Sequence, residues 1–315
     1  MGYNYSMNPK TTLSPEDIAK ICSAHGITFA NTKRITTGFT NEVHLINDSI
    51  ILKVCVRSDN AHRMELEARL LEGSYDFSKP KFIGKDFSNT IIPVPYILME
   101  FMHGVSLGSI WHTLSNDTRE GLVKDICRNL KVINQIEVKA VLPAAGRWSQ
   151  VLFQNFTRES QMALESKAVD AGVVTSIKDI ITAHKEILDS GTIATVFWDI
   201  HLDNFIVSNK GELLALIDLE SVDAAPIDYP LVVLENIVSS PVRYLSEEDE
   251  QFANENDYEH LISWYQEYYP EMFGYRHHGE RLAIYHMLDA IHLLKDWPNS
   301  EWAKNELREF LGKFD

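Results

Sequence analysis

The sequence predicts an α+β fold in two lobes, a small, mainly β N-terminal lobe with one helix and a larger, mainly helical C-terminal lobe. Three observations support this prediction. A chain of 315 residues can bury two apolar cores. Residues 33–105 change from strand-like to helix-like and back to strand-like patterns, and the apolar spacing after Gly104 is mainly helical. We expect the lobes at 1–103 and 104–315, with a hinge near 100–104.

The composition is that of an ordinary globular protein, with 45% hydrophobic and 23% charged residues. No run of about 18 apolar residues is present, which predicts that no segment spans a membrane. The N-terminus does not show the basic and then apolar segments of a secretory signal. Cys22, Cys55 and Cys127 are widely spaced in apolar patterns and predict reduced thiols. We therefore expect a cytoplasmic protein.

The charge is unevenly distributed along the chain. Residues 1–105 contain 11 Lys and Arg and 11 Asp and Glu, so the remainder carries the whole net charge of −16. Such a surface disfavours nucleic acid and anionic membranes as partners and favours a cationic ligand. Acidic residues that only keep the protein soluble would give the same count, so charge alone leaves both interpretations open.

The first predicted element is a helix over residues 14–25. Ser14 can cap its N-terminus, Pro15 fits the first turn, Asp17 completes a capping-box pattern, and Gly26 ends the helix. These signals agree on both ends of the helix.

The following elements alternate between strand and helix. Residues 33–56 are rich in β-branched side chains and predict strands, with a tight turn at Asn47 and Asp48. Residues 60–73 return to helical spacing, and residues 91–101 predict a buried strand. Together these segments predict the small N-terminal lobe.

The C-terminal lobe is predicted to be helical apart from one hairpin. In this hairpin residues 204–209 form the first strand, Lys210 and Gly211 the turn, and residues 212–218 the second strand. The candidate helices cover residues 115–137, 148–167, 172–190, 256–268 and 279–296.

Polar residues at the open end of the hairpin carry the main functional signal. Asp199 and Asn204 lie five residues apart in a loop before the first strand, and Asp218 ends the second strand. Because a hairpin brings its outer ends together, we expect these three side chains to converge. A carboxylate and an amide oxygen suit Mg²⁺, and a further carboxylate can orient a hydroxyl nucleophile. Taken singly, Asp and Asn are also ordinary turn formers.

The stretch from Trp198 to Val207, followed by Ile217–Glu220, resembles the catalytic loop and metal-binding hairpin of the aminoglycoside phosphotransferase and choline-kinase-like superfamily. The resemblance implies a protein-kinase-like fold. It also implies that Asp199 is the catalytic aspartate and that Asn204 and Asp218 are Mg²⁺ ligands.

Two further positions bear on this resemblance. Phe197 and Trp198 stand where the common family form has His-Gly. That His is usually a scaffold residue, so the departure does not exclude activity, but it motivates a specialised or degraded enzyme as an alternative. Asp228 matches a family aspartate that braces the catalytic loop, which implies a structural role.

Lys53 and Glu67 predict the other half of a nucleotide site. Lys53 lies among apolar neighbours on a strand, and Glu67 shares the inward stripe of the next helix with Met64, Ala68 and Leu71. Because each is costly to bury alone, we expect an ion pair between them, unless Lys53 extends to solvent. The pair resembles the lysine and glutamate that position the α- and β-phosphates in kinases, which implies that both serve nucleotide binding.

The resemblance implies four more nucleotide-binding residues. The turn from Thr36 to Asn41 is similar to the family's phosphate-covering loop, in which Gly38 and Thr40 would let backbone N–H groups approach phosphate. A plain hairpin loop would show the same pattern. In the hinge strand, the carbonyl of Glu100 and the N–H of Met102 would bond the adenine edge.

The implied reaction is transfer of the γ-phosphoryl group of ATP or GTP to a small-molecule hydroxyl, with Mg²⁺ as cofactor. Acidic and aromatic residues between 220 and 269 suit a cationic acceptor such as an aminoglycoside. A solvated acidic helix face over an aromatic core would show the same composition.

Three alternatives remain at this point. The chain can be a metabolic kinase of the same fold that acts on choline, a sugar or a fructosamine. It can be a pseudokinase that binds nucleotide without turnover. A protein kinase is disfavoured, because the DFG, APE and HRD sequences do not occur in the expected places.

Overall fold

The computed structural model describes residues 13–36, 41–57, 60–142, 146–246 and 248–314. The helices in these ranges are α1 (Pro15–Ala24), α2 (Ala61–Glu72), α3 (Leu107–Ile110), α4 (Asn116–Asn134), α5 (Val138–Val141), α6 (Trp148–Glu165), α7 (Ala171–Ala183), α8 (Lys185–Leu188), α9 (Leu231–Ser239), α10 (Leu261–Tyr268), α11 (His278–Asp296) and α12 (Glu301–Leu311). The strands are β1 (Thr32–Ile35), β2 (Glu42–Ile46), β3 (Ile50–Val54), β4 (Phe82–Asp86), β5 (Tyr96–Glu100), β6 (Val105–Ser106), β7 (Ile193–Phe197), β8 (Phe205–Val207), β9 (Leu213–Leu216) and β10 (Val222–Pro226). The N-terminal region is rich in strands and the C-terminal region is mainly helical, as predicted.

The N-terminal region contains a five-stranded antiparallel sheet with the order β1-β2-β3-β5-β4. The predicted turn between β2 and β3 is confirmed, because Asn47 and Asp48 both have left-handed backbone conformations, with φ of 50° and 53°, as a tight hairpin requires. Lys53 lies opposite Val43 on β2 and Ile97 on β5. Directly opposite residues share a face, so Lys53 projects from the same side of the sheet as these two side chains.

Helix α1 begins as the sequence predicts and covers the other face of the sheet. The N–H of Asp17 donates to Ser14 Oγ at 3.1 Å, and Gly26 beyond the helix has a φ of 69°. Successive residues of a strand point to opposite faces, so Leu52 lies on the face away from Lys53. The core on that side consists of Leu13, Ile18, Ile21, Cys22, Ile46, Leu52, Val54, Ile92, Tyr96 and Leu98. Helix α1 therefore packs on one face of the sheet, and Lys53 lies on the opposite face.

Strand β5 is shorter than the predicted strand over 91–101. It begins at Tyr96, because Pro93 and Pro95 have no N–H to donate to a sheet ladder. Strand β4, which the sequence analysis did not assign, pairs with β5 at the sheet edge and contains Gly84. A short strand with a central glycine carries little strand signal.

The predicted hairpin after residue 203 is confirmed as β8 and β9, with Phe205 opposite Leu216. Gly211 occupies the turn with a φ of 74°. At the open end the N–H of Ile217 donates to the carbonyl of Asn204 at 3.0 Å. The hairpin therefore pairs Asn204 with Ile217, the residue before Asp218.

Several helix boundaries differ from the prediction. The helix expected over 172–190 is two helices, α7 and α8, with His184 between them, and the helix expected over 256–268 begins at Leu261. Helix α9 was not predicted, because it is apolar almost all round and shows little periodicity. Helix α12 and strands β7 and β10 were not predicted either.

The chain divides into two compact units. One runs to Val132 and includes residues 201–222 and 241–257, and the other comprises residues 133–200, 223–240 and the chain from Tyr258 onward. This division does not coincide with a boundary at 103 and 104, so the assignment of a nucleotide-binding lobe and a catalytic lobe stays a prediction. In the described part of the chain, no helix combines the length and the apolar character needed to cross a bilayer.

Candidate active site

Lys53 is the centre of a charge cluster in the first unit. It is 4% exposed, and its Nζ lies 2.8 Å from Glu67 Oε2, 2.9 Å from Asp218 Oδ1 and 3.3 Å from Glu220 Oε2. The ion pair with Glu67 that the sequence predicts is therefore present, and the lysine does not extend to solvent. One ammonium group faces three carboxylates, so the cluster has surplus negative charge that attracts cations.

The charges in this cluster shift one another's pKa values. Burial opposes the charged form of Lys53, but Asp218, Glu220 and Glu67 outweigh it and raise the pKa of Lys53 well above its ordinary value. Burial and the like charges of Glu220 and Asp218 raise the pKa of Glu67 to about 7, against the effect of Lys53. The ammonium of Lys53 holds the pKa of Asp218 below its usual range. At neutral pH Lys53 is a cation and Asp218 an anion.

Helix α2 holds Glu67 in place. Glu67 is 1% exposed and lies on the buried stripe that the sequence predicts. Lys79 binds the C-terminal end of the helix, where its Nζ lies 2.6 Å from the carbonyl oxygen of Leu70 and 2.8 Å from that of Leu71. A cation at this end of a helix is stabilising. Sequence reasoning missed Lys79, because a lysine after a helix is common.

Asn204 and Asp218 lie at the open end of the β8–β9 hairpin. Asn204 is 2% exposed, whereas the side chain of Asp218 is 52% exposed. Asp218 has a left-handed backbone, with φ 54° and ψ 44°. This conformation is uncommon for residues other than glycine and tends to occur at functional sites. The carboxylate of Asp218 therefore lies next to Lys53 and is accessible to solvent.

The donor set at this hairpin end fits Mg²⁺. An amide oxygen and a carboxylate are hard ligands, and Mg²⁺ usually takes one or two protein carboxylates and completes its shell with phosphate and water. The surplus negative charge around Lys53 favours a cation at the same place. Within the described ranges, no set of three or more His, Cys, Asp and Glu side chains is arranged to hold a metal.

Asp203 anchors the loop that carries Asn204. Its Oδ1 accepts a hydrogen bond from Ser106 Oγ at the start of α3, and a Cβ at Gly108 would collide with the same oxygen. The N–H of Asn204 in turn donates to the carbonyl of His201 at 3.0 Å. The loop is thus fixed on both sides of Asp203.

Glu220 and Asn41 belong to the site but were not predicted as site residues. The Nδ2 of Asn41 donates to both carboxylate oxygens of Glu220, at 2.9 Å and 3.2 Å. The contact joins residues 179 positions apart, and no local sequence pattern encodes it. For Glu220 the available signal was the resemblance of Ile217–Glu220 to the family's metal-binding hairpin.

The predicted adenine contacts lie on a segment held by close packing. Glu100 ends β5, and the N–H of Gly104 donates to the carbonyl of Met102 at 2.9 Å. A Cβ on Gly104 would lie 2.5 Å from the carbonyl oxygen of Val207, so only glycine fits there. The roles of Glu100 and Met102 toward adenine stay predictions. Gly38 and Thr40 lie outside the described residues.

Asp199 belongs to the second unit, two residues after the end of β7. Phe197 before it is 1% exposed, and the rings of Trp198 and Tyr229 lie 6.5 Å apart. The buried Nε1 of Trp198 has no hydrogen-bond partner among the residues that the structure describes. Phe197 is therefore part of the core before the loop, and Trp198 is partly buried beside Tyr229. The convergence of Asp199 with Asn204 and Asp218 stays a prediction.

Asp228 is a buried structural residue of the second unit. Its Oδ1 and Oδ2 accept hydrogen bonds from Arg281 at 2.9 Å and 2.5 Å, and both side chains are fully buried. Arg281 also donates to the carbonyl oxygens of Ile187 and Leu188. Arg281 of α11 therefore links Asp228, which lies between β10 and α9, to the end of α8. The bracing of the catalytic loop by Asp228 stays a prediction.

The chain is similar to known phosphotransferases. The family model described as the phosphotransferase enzyme family (APH) matches residues 31–272. No curated protein matches the sequence. ADP-bound aminoglycoside phosphotransferase APH(2'')-Ib shares the fold with a TM-score of 0.66 and 16% identity over 95% of this chain and 97% of that one.

Two further solved structures show the same fold. The streptomycin–ATP complex of APH(2'')-IIa has a TM-score of 0.66 and 16% identity over 96% of this chain and 97% of that one. A thermostable mutant of APH(4)-Ia with AMP-PNP and hygromycin B has a TM-score of 0.67 and 13% identity over 94% of this chain and 98% of that one. The predicted kinase-like fold is thereby confirmed.

Proposed function

Because the chain belongs to the phosphotransferase enzyme family, we propose that it transfers the γ-phosphoryl group of ATP or GTP to a hydroxyl group of a small molecule. The observation that carries the proposal is the contact of Lys53 with both Glu67 and Asp218. In kinases a lysine between a helix glutamate and a metal-binding aspartate holds the phosphates. A chain without nucleotide chemistry would gain little from one buried ammonium among three carboxylates.

Each site residue has a role in this reaction, which depends on positioning and charge neutralisation. Lys53 donates to phosphate oxygens and Glu67 keeps it in place. Asn204 and Asp218 would hold Mg²⁺, which would supply positive charge to the phosphates. Asp199 accepts a hydrogen bond from the acceptor hydroxyl and takes its proton as the new P–O bond forms and the bond to the β-phosphate oxygen breaks.

The nucleotide base and phosphates would be held by backbone groups. The carbonyl of Glu100 and the N–H of Met102 bond the adenine edge, and backbone N–H groups near Gly38 and Thr40 contact the phosphates. These contacts use no side-chain chemistry, so ATP and GTP are both candidate donors. The solved relatives include ATP, ADP and GDP complexes, which supports a nucleotide co-substrate.

The acceptor we propose is a cationic alcohol of the aminoglycoside type. The chain after residue 105 carries the whole net charge of −16, and a surface of this sign attracts cations. Solved proteins of the same fold contain streptomycin or hygromycin B. A metabolic kinase that acts on choline, a sugar or a fructosamine is the alternative within the same reaction class.

A substrate panel tests this proposal. Purified protein is incubated with Mg²⁺ and ATP or GTP in the presence of aminoglycosides, choline, sugars and fructosamines, and both nucleoside diphosphate and phosphorylated acceptor are measured. We expect phosphate transfer to at least one aminoglycoside. Transfer only to choline, sugars or fructosamines favours the metabolic kinase, and absence of nucleotide binding contradicts the proposal.

The second candidate function is a pseudokinase, and Phe197 and Trp198 before Asp199 motivate it. The panel separates the two functions when thermal melting with MgATP is measured on the same samples. Stabilisation by nucleotide without turnover on any acceptor would support the pseudokinase.

A further inference from the structure

Asn41 connects the start of β2 with the end of the β8–β9 hairpin, close to Lys53. It directly precedes β2, and its Nδ2 donates to both oxygens of the Glu220 carboxylate at 2.9 Å and 3.2 Å. Glu220 lies two residues beyond Asp218, and its Oε2 is 3.3 Å from Lys53 Nζ. One amide group therefore links the start of β2 to the hairpin end.

The contact is sheltered from solvent. Asn41 is 5% exposed, and the side chain of Glu220 is 15% exposed. In such surroundings a hydrogen bond to a carboxylate is stronger than at an exposed position. The bond is therefore able to hold Glu220 in a defined orientation.

Glu220 is a third carboxylate beside a lysine that Glu67 and Asp218 already neutralise. A mobile carboxylate at this distance would compete with phosphate for the ammonium group of Lys53. The amide of Asn41 gives both oxygens of the Glu220 carboxylate a neutral donor, and only Oε2 also approaches Lys53. The contact of Glu220 with Lys53, at 3.3 Å, is longer than those of Glu67 and Asp218, at 2.8 Å and 2.9 Å, so Glu220 competes less for the ammonium group than a carboxylate without the Asn41 contact would.

The other half of the Asn41 amide gives a second, independent indication. Its Oδ1 is buried and has no hydrogen-bond partner among the described residues. A buried acceptor without a donor is unfavourable, so packing stability alone does not explain an asparagine here. Asn41 makes its side-chain hydrogen bonds through Nδ2, which donates to Glu220.

We propose that Asn41 is a positioning residue for MgATP binding, which acts through Glu220 and couples the start of β2 to the hairpin that carries Asp218. This inference rests on the proposed phosphotransferase function. It concerns the orientation of Glu220 and not the chemical step.

A double-mutant cycle tests the coupling. Asn41→Asp places two carboxylates against each other, and adding Glu220→Gln restores a donor and an acceptor with reversed polarity. Asn31→Asp is the matched control, because Asn31 is exposed and lies in the same unit. The Kd of MgATP is measured by calorimetry for all variants, together with KM and kcat.

We expect Asn41→Asp to raise the Kd and the nucleotide KM about tenfold with a smaller change in kcat, and the double variant to recover part of this loss. Asn31→Asp should match the wild type. A purely structural role would lower the folded fraction and kcat while leaving KM unchanged. If Asn41→Asp does not fold, Asn41→Ala removes the amide without adding charge and must raise the Kd as well.

The outcomes separate the two proposals. Losses that multiply in the double variant, or wild-type binding by Asn41→Asp, overturn the role of Asn41 while leaving phosphotransfer standing. A wild-type protein that neither binds nor turns over MgATP overturns the proposed function itself.

Discussion

The Nζ atom of Lys53 lies 2.9 Å from Oδ1 of Asp218, although 165 positions separate the two residues in the chain. Lys53 comes from the C-terminal half of β3, and Asp218 from the open end of the β8–β9 hairpin. The contact brings the candidate phosphate-binding and metal-binding groups into one compact unit.

Replacing Lys53 with Met should destabilise the protein, because the buried Glu67 would lose its counter-charge and hydrogen-bond donor. The pKa of Glu67 is already about 7, so the carboxyl can take up a proton, and we expect the free energy of unfolding in urea to fall by about 1–3 kcal/mol. Lys85→Met is the control, since its pair with Glu72 is largely exposed and should contribute no more than about 1 kcal/mol. Equal losses in the two variants would contradict the buried ion pair.

Asp218→Asn should weaken nucleotide binding only when Mg²⁺ is present. The substitution removes the accessible carboxylate at the hairpin end, and we expect the Kd of MgATP to rise at least about tenfold with little change for ATP in EDTA. Asp48→Asn is a matched control, because Asp48 has almost the same φ, 53° against 54°. A loss that is equal with and without Mg²⁺ would argue against a metal ligand at Asp218.

Asp228→Asn should destabilise the second unit without acting on the chemistry. Arg281 would remain fully buried with its guanidinium uncompensated, and we expect a loss of about 3–5 kcal/mol in the free energy of unfolding. In Glu301→Gln, which affects the mostly exposed pair with Lys304, the loss should not exceed about 1 kcal/mol. Urea denaturation followed by circular dichroism measures both, and a small loss in Asp228→Asn would show that the pair is dispensable.

His286 should make stability depend on alkaline pH. It is 3% exposed, and its Nδ1 and Nε2 each lie 2.7 Å from a carboxylate oxygen, of Glu306 and Glu235 respectively. Burial opposes the charged form, but the two carboxylates outweigh it and raise the pKa of His286 to about 9 from 6.5. The stabilisation is therefore fully present below pH 6.5 and is lost as the pH rises through about 9.

The comparison with His286→Gln isolates this effect. Between about pH 6 and about pH 10 the wild type should lose about 3 kcal/mol more unfolding free energy than the variant. Other groups that titrate in this range are common to both proteins and cancel in the difference. Parallel pH profiles for the two proteins would contradict a charged His286 in the folded state.

The parts of the site that depend on local patterns could be predicted from the sequence. Strand alternation placed Lys53 and helical periodicity placed Glu67, so their pairing followed from two short-range signals. The hairpin between Asn204 and Asp218 was predicted because its strands alternate around a Lys-Gly turn. Each of these elements is encoded within about 20 residues.

The parts that depend on distant contacts could not be predicted in this way. Asn41 contacts Glu220 across 179 positions, and Arg281 contacts Asp228 across 53, so no window of sequence contains both partners. The length of β5 was overestimated, because apolar composition outweighed the missing N–H groups before Tyr96. Apolar character alone does not distinguish a strand from a buried connection.

The most direct test of the phosphotransferase account is the substitution Asp199→Asn, assayed for both MgATP binding and turnover. Asp199 is proposed to receive the proton of the acceptor hydroxyl and not to hold the nucleotide. We predict that the Kd of MgATP stays within roughly threefold of the wild type while kcat falls at least about 100-fold. Unchanged turnover in Asp199→Asn would contradict the account.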